Sequence, residues 1–553
     1  MAFKVLVLAP MVDDVQYHLD LNVRFRKNDL EMSFDNLNQF FLHDFDEDKI
    51  PADNQHEEDI PAAGYYLTSL LKKAGYEVWL SSANDERRFR QVSAFSPEII
   101  CLSTTMIISV EALNNIVSRI RKFMPGVFII AGGVFVWKNY LSAMSHLFES
   151  TEGLEDYGLF SSKKNKVDVD AWVIDSHGAK TLLKLLDELS KGGKAMPGNV
   201  PNLILPDAQN FLTETKRQAE QVDFNQDITD WTLIDEMPSR IPLRTSIGCP
   251  YRCSFCDFCK LFPEIFLRSK ESIEKELQSI LQRKGDGTSL IHVTDDNVFL
   301  NQKRLHEICE VFIRQKQLNW ISFMRASSIN EMNIEKVSRS GLLVSLVGLE
   351  SGDDDQLKNM HKQMNVHQQK KGIELMDAHG IYTYLSLIVG FPGESDNSIR
   401  NTTDFLNGLA LTNAFVSYNL YPLFIFPMSE MSEKAFRAKW SLQGMYDQWS
   451  HSTMNAKEVN ASAYTLFSGV KSLPYNYFHE SNFYLRGMFS LAERNNLFSL
   501  RNELTKQIIV SGPELEKFRS LRSIARIMDH DIPWQKKHIV EKLYVRDKAK
   551  IKL

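Results

Sequence analysis

Apolar residues in the first 190 positions fall into short unbroken runs separated by amphipathic stretches. "FKVLVLAP", at the start, is a continuous apolar run of strand length. "YEVWLSS", "PEIICLSTT", "GVFIIAGGV" and "DAWVIDSHG" repeat it. Between them lie helical patterns. In "IPAAGYYLTSLLKKAG", Pro61 opens a helix, Tyr65, Leu67, Leu70 and Leu71 share a face, and Gly75 closes it. "VEALNNIVSRIRKFM" and "AKTLLKLLDELSKG" follow the same period. Alternating helices and wholly apolar strands predict an α/β domain over 1–190, a doubly wound parallel sheet covered on both faces. Ligands of such sheets sit where the strands end. Those ends are Pro10-Met11, Ser103-Thr104-Thr105, Gly132-Gly133-Val134 and Ser176-His177-Gly178. Residues 12–60 break the pattern, with fourteen acidic side chains against four basic ones, and read as an insertion or long loop.

Residues 191–240 carry Gly, Pro and mixed polar residues and read as a linker. A second alternating series runs over 241–430. Its strands are "PLRTSI", "SLIHVTDD", "NWISFMRA", "GLLVSLVGLES", "YTYLSLIVGFPG" and "AFVSYNLYPLF". Asn301 is placed to cap the helix "NQKRLHEICEVFIRQ", and Gly380 ends "VHQQKKGIELMDAHG". Six βα units make a partial (β/α)6 barrel, with its chemistry at the carboxyl ends of the strands. Helical patterns dominate 431–553.

Composition narrows the function classes. The chain has 553 residues, too many for one core, and is 43 % apolar and 24 % charged. A formal charge of −6 gives no electrostatic reason to expect nucleic acid. The basic stretch Lys536–Leu553 reads as a solvated helix or tail. No apolar run is long enough to span a membrane, and the first residues lack a secretory signal. A cytoplasmic protein is expected, in which thiols stay reduced and clustered cysteines point to metal or redox work.

Four of the six cysteines lie within "RTSIGCPYRCSFCDFCK". Cys249, Cys253 and Cys256 have the spacing C-x3-C-x2-C, at the end of the first barrel strand. Three thiolates from one short loop can hold three irons of a [4Fe–4S] cluster and leave the fourth open to a small molecule. Gly248 and Pro250 let the backbone wrap a compact core, and Phe255 can shield it and pack on an adenine. Cys259 leaves other readings open: a C-x2-C-x2-C set, a closed four-thiolate zinc site, or an inert thiol. Cys101, in an apolar strand, and Cys309, on an apolar helix face, read as core.

"GCPYRCSFC" resembles the cluster-binding signature of radical S-adenosylmethionine (SAM) enzymes. "TDDNVFLNQKRL", "GLESGDDDQLKNMHKQM", "YLSLIVGFPGES" and "WSHSTMN" follow in matching order. Behind the N-terminal sheet, this combination is similar to radical SAM proteins with a Rossmann-like, cobalamin (B12)-binding domain, over nearly all of 1–470. The resemblance implies a [4Fe–4S] cluster, SAM and cobalamin as cofactors. It further implies reductive cleavage of SAM to a 5′-deoxyadenosyl radical, an electron donor such as flavodoxin or ferredoxin, and a small-molecule substrate. Methyl transfer to an unactivated carbon or a phosphinate phosphorus is the leading expectation. A rearrangement or cyclisation on the same cofactors is the alternative, and a non-catalytic iron–sulfur or zinc module is the reading from another class.

Several residues acquire candidate roles. Glu350 and Ser351 end one strand, and the Glu350 carboxylate can receive the SAM ammonium or ribose; a rim ion pair is its bland reading. Asp295, with Asp296 and Asn297, ends another, as SAM contacts or as ordinary loop starters. Arg325 can bind a carboxylate or sit in a structural ion pair. Gly390, Phe391 and Gly393 belong to a "GFPG" segment that either approaches adenine or simply turns. Tyr446, Trp449 and His451 close near the substrate in the resembled family, with core packing as the alternative. The Ser103–Thr105 and Gly132–Gly133 strand ends match the family's corrinoid-contact positions. The D-x-H-x-x-G motif that supplies a lower cobalt ligand is absent. Neither Asp14 with His18 nor Asp53 with His56 has its spacing.

Overall fold

The computed structural model describes residues 3–10, 60–83, 86–145, 158–191, 198–238, 240–284, 289–315 and 318–475, with short pieces between 19 and 32 and between 499 and 509. The N-terminal sheet is built from β1 (Lys4–Leu8), β2 (Glu77–Ser81), β3 (Ile99–Ser103), β4 (Phe128–Gly132), β5 (Ala171–Val173), β6 (Leu203–Pro206) and β7 (Leu212–Glu214). Its strand order is β2-β1-β3-β4-β5-β6-β7. The first five strands in that order run parallel. Helices α1 (Ala62–Lys73), α2 (Glu86–Ser93), α3 (Val110–Phe123), α4 (Val134–Met144) and α5 (Ala179–Ser190) connect or follow them.

Alternation along β1 explains the two covered faces. Val5 and Val7 pack with Leu71 of α1 and Leu182, Leu185 and Leu186 of α5. Leu6 and Leu8 pack on the other side with Leu113, Ile116, Val117 and Ile120 of α3. Successive side chains point to opposite faces, so a strand buried on both must be apolar throughout. Cys101 lies in the first of these clusters, and burial pushes its thiol up to about 12. It is a core residue, as is Cys309.

The stretch 191–240 departs from its reading as a linker. β6 and β7 lie within it and add antiparallel to the β5 edge. Strands of four and three residues, bracketed by Pro, Gly and Asn, leave no period to read. Within 12–60, one hairpin pairs Phe25–Lys27 with Leu30–Met32. Met11 and the pairs Asp14/His18 and Asp53/His56 lie outside the described residues, as does Lys536–Leu553.

The second sheet begins with β8 (Arg240–Leu243). A hairpin of β9 (Ser246–Ile247) and β10 (Phe266–Leu267) follows, carrying α6 (Phe258–Leu261) between its strands. Next come α7 (Lys270–Lys284), β11 (Ser289–Val293), α8 (Gln302–Arg314), β12 (Leu318–Met324), α9 (Ile334–Arg339) and β13 (Leu342–Glu350). After α10 (Asp354–Asn359) and α11 (Val366–Ala378), the chain adds β14 (Tyr382–Val389), α12 (Asp396–Asn407) and β15 (Val416–Pro422). The six strands lie in sequence order, β8-β11-β12-β13-β14-β15, each parallel to the next. This is the partial (β/α)6 barrel that the alternating pattern predicts. Ile241, Leu243, Ile291, Val293, Val347 and Leu385 join one core with the surrounding helices. The opposite parity holds His292, Phe323, Tyr384, Ser386 and Asn419, and Phe323 is 45 % exposed there. Asn301 caps α8 by accepting from the Arg304 amide, as its position predicts.

Past β15, α13 (Lys434–Trp440) leads to a small antiparallel sheet of β16 (Gln443–Met445), β17 (Gln448–His451) and β18 (Met454–Asn455), then to α14 (Val459–Gly469). No helix among the described residues is long and apolar enough to cross a membrane.

Candidate active site

The cysteine loop is the connection of the β9–β10 hairpin, and the ends of the neighbouring strands hold its base. The Asp295 carboxylate accepts from the Thr245 amide at 2.6 Å and from the Thr245 and Ser246 hydroxyls. The Asp296 carboxylate accepts from the Gly248 amide at 2.9 Å and faces Arg244 at 3.4 Å. Gly248 has φ +92°, and a Cβ there would sit 2.8 Å from the Glu264 carbonyl oxygen, so only glycine fits. The far side is pinned through Ser254. Its amide donates to the Met360 carbonyl at 3.0 Å, and its carbonyl accepts from the Met431 amide at 3.3 Å. Asp295 thus shapes the loop, the ordinary one of its two readings, and its oxygens are already engaged.

Among the described residues no three His, Cys, Asp or Glu side chains converge on a single metal ion. The fit of the loop to a metal group is therefore judged from its donor set. Burial above all pushes the Cys249 thiol up, with the Cys253 thiol and the Asp296 carboxylate adding to it. Burial raises Cys256 still further, and Cys253 contributes again. Cys259 is raised by burial too, against the opposing charges of Lys260 and Arg252. Half-buried thiols that resist ionisation need a cationic partner to become thiolates. An iron–sulfur core is such a partner, and Cys249, Cys253 and Cys256 all stand on the one loop.

Glu350 stands at the end of β13 with φ +62°, a left-handed conformation uncommon for a non-glycine residue. The β13–β14 register slips there, with Gly348 opposite Ser386 and Glu350 opposite Leu387. Gly348 makes the room, since a Cβ on it would meet the Glu350 Oε1 at 2.3 Å. That oxygen accepts from the Lys362 Nζ at 2.7 Å, and both side chains are buried. The Lys362 ammonium also lies 5.7 Å from the centroid of the Phe255 ring. Arg325 donates to the Lys362 carbonyl, and its guanidinium stacks 3.7 Å from the centroid of Tyr251 in the cysteine loop. Arg325 Nε is buried with no hydrogen-bond partner among the described residues. Both amide atoms of Asn297 are in the same position. Such orphaned groups at the mouth of a barrel are available to a ligand. Strain at Glu350 in the same place supports a functional reading of this corner.

Gly390, after β14, has φ +94°, and a Cβ there would meet Trp449 Cη2 at 2.7 Å. Its amide donates to the Glu394 carboxylate and its carbonyl accepts from His451 Nε2 at 2.9 Å. The His451 ring stacks on Trp449, with centroids 5.0 Å apart and planes at 4°. Gly393 donates to Thr453 Oγ1 at 3.1 Å. Trp449 and His451 therefore buttress the turn. Phe391 faces Phe436 in the core, and Ser351 hydrogen-bonds Thr402 and the Asp353 amide. Tyr446 pairs its backbone with Ile425 and packs on Phe424. All three side chains are buried.

Burial pushes Glu394 up to about 8, well above the usual carboxylate range. With the folded value above the unfolded one, its contribution to stability is complete below the unfolded value of about 4.3 and is lost as pH rises through about 8. Glu394→Gln preserves an acceptor for Gly390 and removes the titration. The variant is expected to flatten the fall in urea midpoint between the two values, relative to the wild type.

At the first sheet, Thr104 donates its hydroxyl to the Gly132 carbonyl at 2.9 Å, and the Ser103 and Thr105 hydroxyls lie 3.1 Å apart. Gly133 starts α4 with φ +112°; a Cβ there would crowd Thr104 and Thr105. Gly178 starts α5 in the left-handed region against Val173. Ser103, Thr104, Thr105, Gly132, Gly133, Ser176 and Gly178 are small, and His177 among them meets the Ser176 hydroxyl with its Nδ1 at 3.1 Å. Pro10 is buried behind this edge. The edge faces the barrel. Trp137 of α4 donates to the Leu261 carbonyl of α6 at 3.3 Å, and the His177 ring stands edge-on to Phe266 of β10 at 6.5 Å.

Three groups escape a reading of the sequence. Lys362 lies in a loop twelve residues past Glu350. Glu394 acts only through a backbone amide. Inside the barrel, Asn419 donates to the Tyr384 hydroxyl at 2.9 Å, which meets the Tyr421 hydroxyl at 2.8 Å. Polar residues at alternate positions of "YTYLSLIV" and "VSYNLYP" are the signal that could have exposed this chain of hydroxyls.

A cysteine loop at the mouth of a parallel partial barrel faces the ligand edge of a doubly wound sheet, an α/β architecture. Residues 243–406 match the Radical SAM superfamily, and the chain carries a domain of that superfamily. Over 364 residues it is 22 % identical to the anaerobic magnesium-protoporphyrin IX monomethyl ester cyclase of Rubrivivax gelatinosus, covering 62 % of this chain and 61 % of that protein. It thus spans less than two thirds of this curated relative. An uncharacterised methyltransferase of Pyrococcus horikoshii is 25 % identical over 373 residues, 65 % of this chain and 75 % of the relative. Two solved structures share the fold. One is the cobalamin-dependent SAM radical enzyme OxsB with aqua-cobalamin bound (TM-score 0.55, 17 % identity, 95 % of this chain and 75 % of that one). The other is the radical SAM methyltransferase TsrM of Kitasatospora setae, with cobalamin and a [4Fe–4S] cluster (TM-score 0.52, 17 % identity, 78 % and 77 %).

Proposed function

We propose that this protein cleaves SAM reductively at a [4Fe–4S] cluster held by Cys249, Cys253 and Cys256, and uses cobalamin to methylate an unactivated carbon or a phosphinate phosphorus of a small molecule. Bound here, the cluster and SAM supply a carbon radical and the corrinoid supplies the methyl group. The chain's own part is placement. Asp295, Asp296 and Ser254 hold the cysteine loop over the barrel mouth. Glu350 and Lys362 offer opposite charges to the amino-acid end of SAM, and Phe255 beside Lys362 offers an adenine a ring to pack on. Arg325 and Asn297 offer unsatisfied donors to SAM or substrate. Ser103, Thr104, Thr105, Gly132, Gly133 and Val134 form a low edge on which a flat macrocycle can lie, with Ser176, His177 and Gly178 beside it. An electron donor, a flavodoxin or ferredoxin in kind, must reach the cluster from solvent.

The observation that carries this reading is the direct approach of the small-residue edge to the cysteine loop, through Trp137 with Leu261 and His177 with Phe266. A corrinoid lying on that edge and a radical formed at the loop would share one space. The cyclase relative favours a second reading, rearrangement or ring closure without methyl transfer. Anaerobic incubation of reconstituted enzyme with reductant, SAM, cobalamin and candidate substrates separates them. Methyl transfer yields 5′-deoxyadenosine together with S-adenosylhomocysteine, and rearrangement yields only the first. Formation of neither rejects both readings.

A further inference from the structure

We propose that Lys138 is a positioning residue that locks the corrinoid-edge helix onto the cysteine loop and balances the charge beside the cluster; this rests on the cluster reading above. Lys138 lies on α4, five residues past Gly133, about 7–8 Å along the helix from the strand-end edge. Its Nζ is 2.5 Å from Asp257 Oδ2, and both side chains are largely buried, at 15 % and 4 % exposure. The ammonium also sits 4.2 Å from the centroid of Phe426. Asp257 directly follows the ligand Cys256 and begins α6, its carbonyl accepting from the Lys260 and Leu261 amides. Asp257 Oδ2 has no hydrogen-bond partner among the described residues, which leaves the ion pair as its compensation. Trp137, one residue earlier on α4, fastens the same small helix through Leu261. A rigid helix therefore runs from the Gly133 edge to the residue adjoining a cluster thiolate.

The electrostatic consequence has a definite sign. Thiolates and sulfides make the cluster environment negative, and an unpaired Asp257 would add a buried anion next to it. Adding an electron would then be harder. Removing Asp257 instead strands a buried cation and makes reduction easier. Lys138 and Asp257 touch neither reacting atoms nor substrate in this account.

The test is a redox titration of the reconstituted cluster, followed by electron paramagnetic resonance, in the full-length protein. Lys138→Gln is expected to lower the reduced-to-oxidised ratio at the wild-type midpoint about tenfold. Asp257→Asn is expected to raise it by a similar factor. The double variant, with a neutral pair, is expected to return to within about threefold of wild type. Single variants that leave the midpoint unmoved, or that move it in the same direction, overturn the proposal. Should Lys138→Gln fail to retain a cluster, the double variant must retain one, and loss in both also overturns it. A wild type without a cluster instead removes the reading beneath it, which separates the two failures.

Discussion

Replacing Cys253 by alanine is expected to abolish cluster assembly and, with it, all cleavage of SAM, whereas Cys259→Ala leaves both in place. Cys253 is the middle thiol of the C-x3-C-x2-C spacing, between Cys249 and Cys256. With Cys259 outside the ligand set, the loss of Cys253 leaves two ligands, and two thiolates do not hold a [4Fe–4S] core with an open iron. Cys259 lies one turn beyond Cys256, its sulfur 4.0 Å from the Cys256 carbonyl oxygen. Iron and sulfide analysis of the purified variants, with 5′-deoxyadenosine formation as the second readout, is the check. A Cys259→Ala variant that loses its cluster would make the site a closed four-thiolate centre and return the protein to the class of non-catalytic modules.

The second large effect is expected at Lys362. Lys362→Met leaves the Glu350 carboxylate buried without its 2.7 Å partner, in a residue already held at φ +62°. Breaking a buried pair from one side costs about 3–5 kcal/mol. A fall of that size in unfolding free energy is expected from urea titration of the anaerobic protein. The double variant Glu350→Gln/Lys362→Met removes both charges and is expected to regain most of that stability. It is not expected to regain affinity for SAM, measured by equilibrium dialysis. Recovery of both together would show that the pair serves folding alone.

Much of this architecture is legible in the chain because burial on two faces forces unbroken apolar runs. The runs at 4–8, 99–103 and 128–132 are of strand length and rich in β-branched residues, and the six barrel strands follow in order. The C-x3-C-x2-C spacing of Cys249, Cys253 and Cys256 is equally plain, because four of the six cysteines crowd one loop. What stays hidden depends on closeness between elements distant in sequence. Lys362 carries no local mark of its pairing with Glu350, and Lys138 sits in a helix that reads as ordinary. Motif membership also fails to give direction. Phe391 shares a segment with Gly390, yet its ring faces Phe436 while Gly390 lines the turn. Asp295 sits where a ligand contact belongs and is consumed by Thr245 and Ser246. The strands β6 and β7 are too short for any period to declare them.

The central claim is an iron in the Cys249–Cys253–Cys256 loop that SAM can reach. Electron paramagnetic resonance of the reduced, anaerobically reconstituted protein, with SAM isotopically labelled in its amino and carboxylate groups, tests it most directly. Magnetic coupling between the cluster and both labels is expected. Spectra that ignore added SAM, or a loop that takes up only zinc, would contradict it.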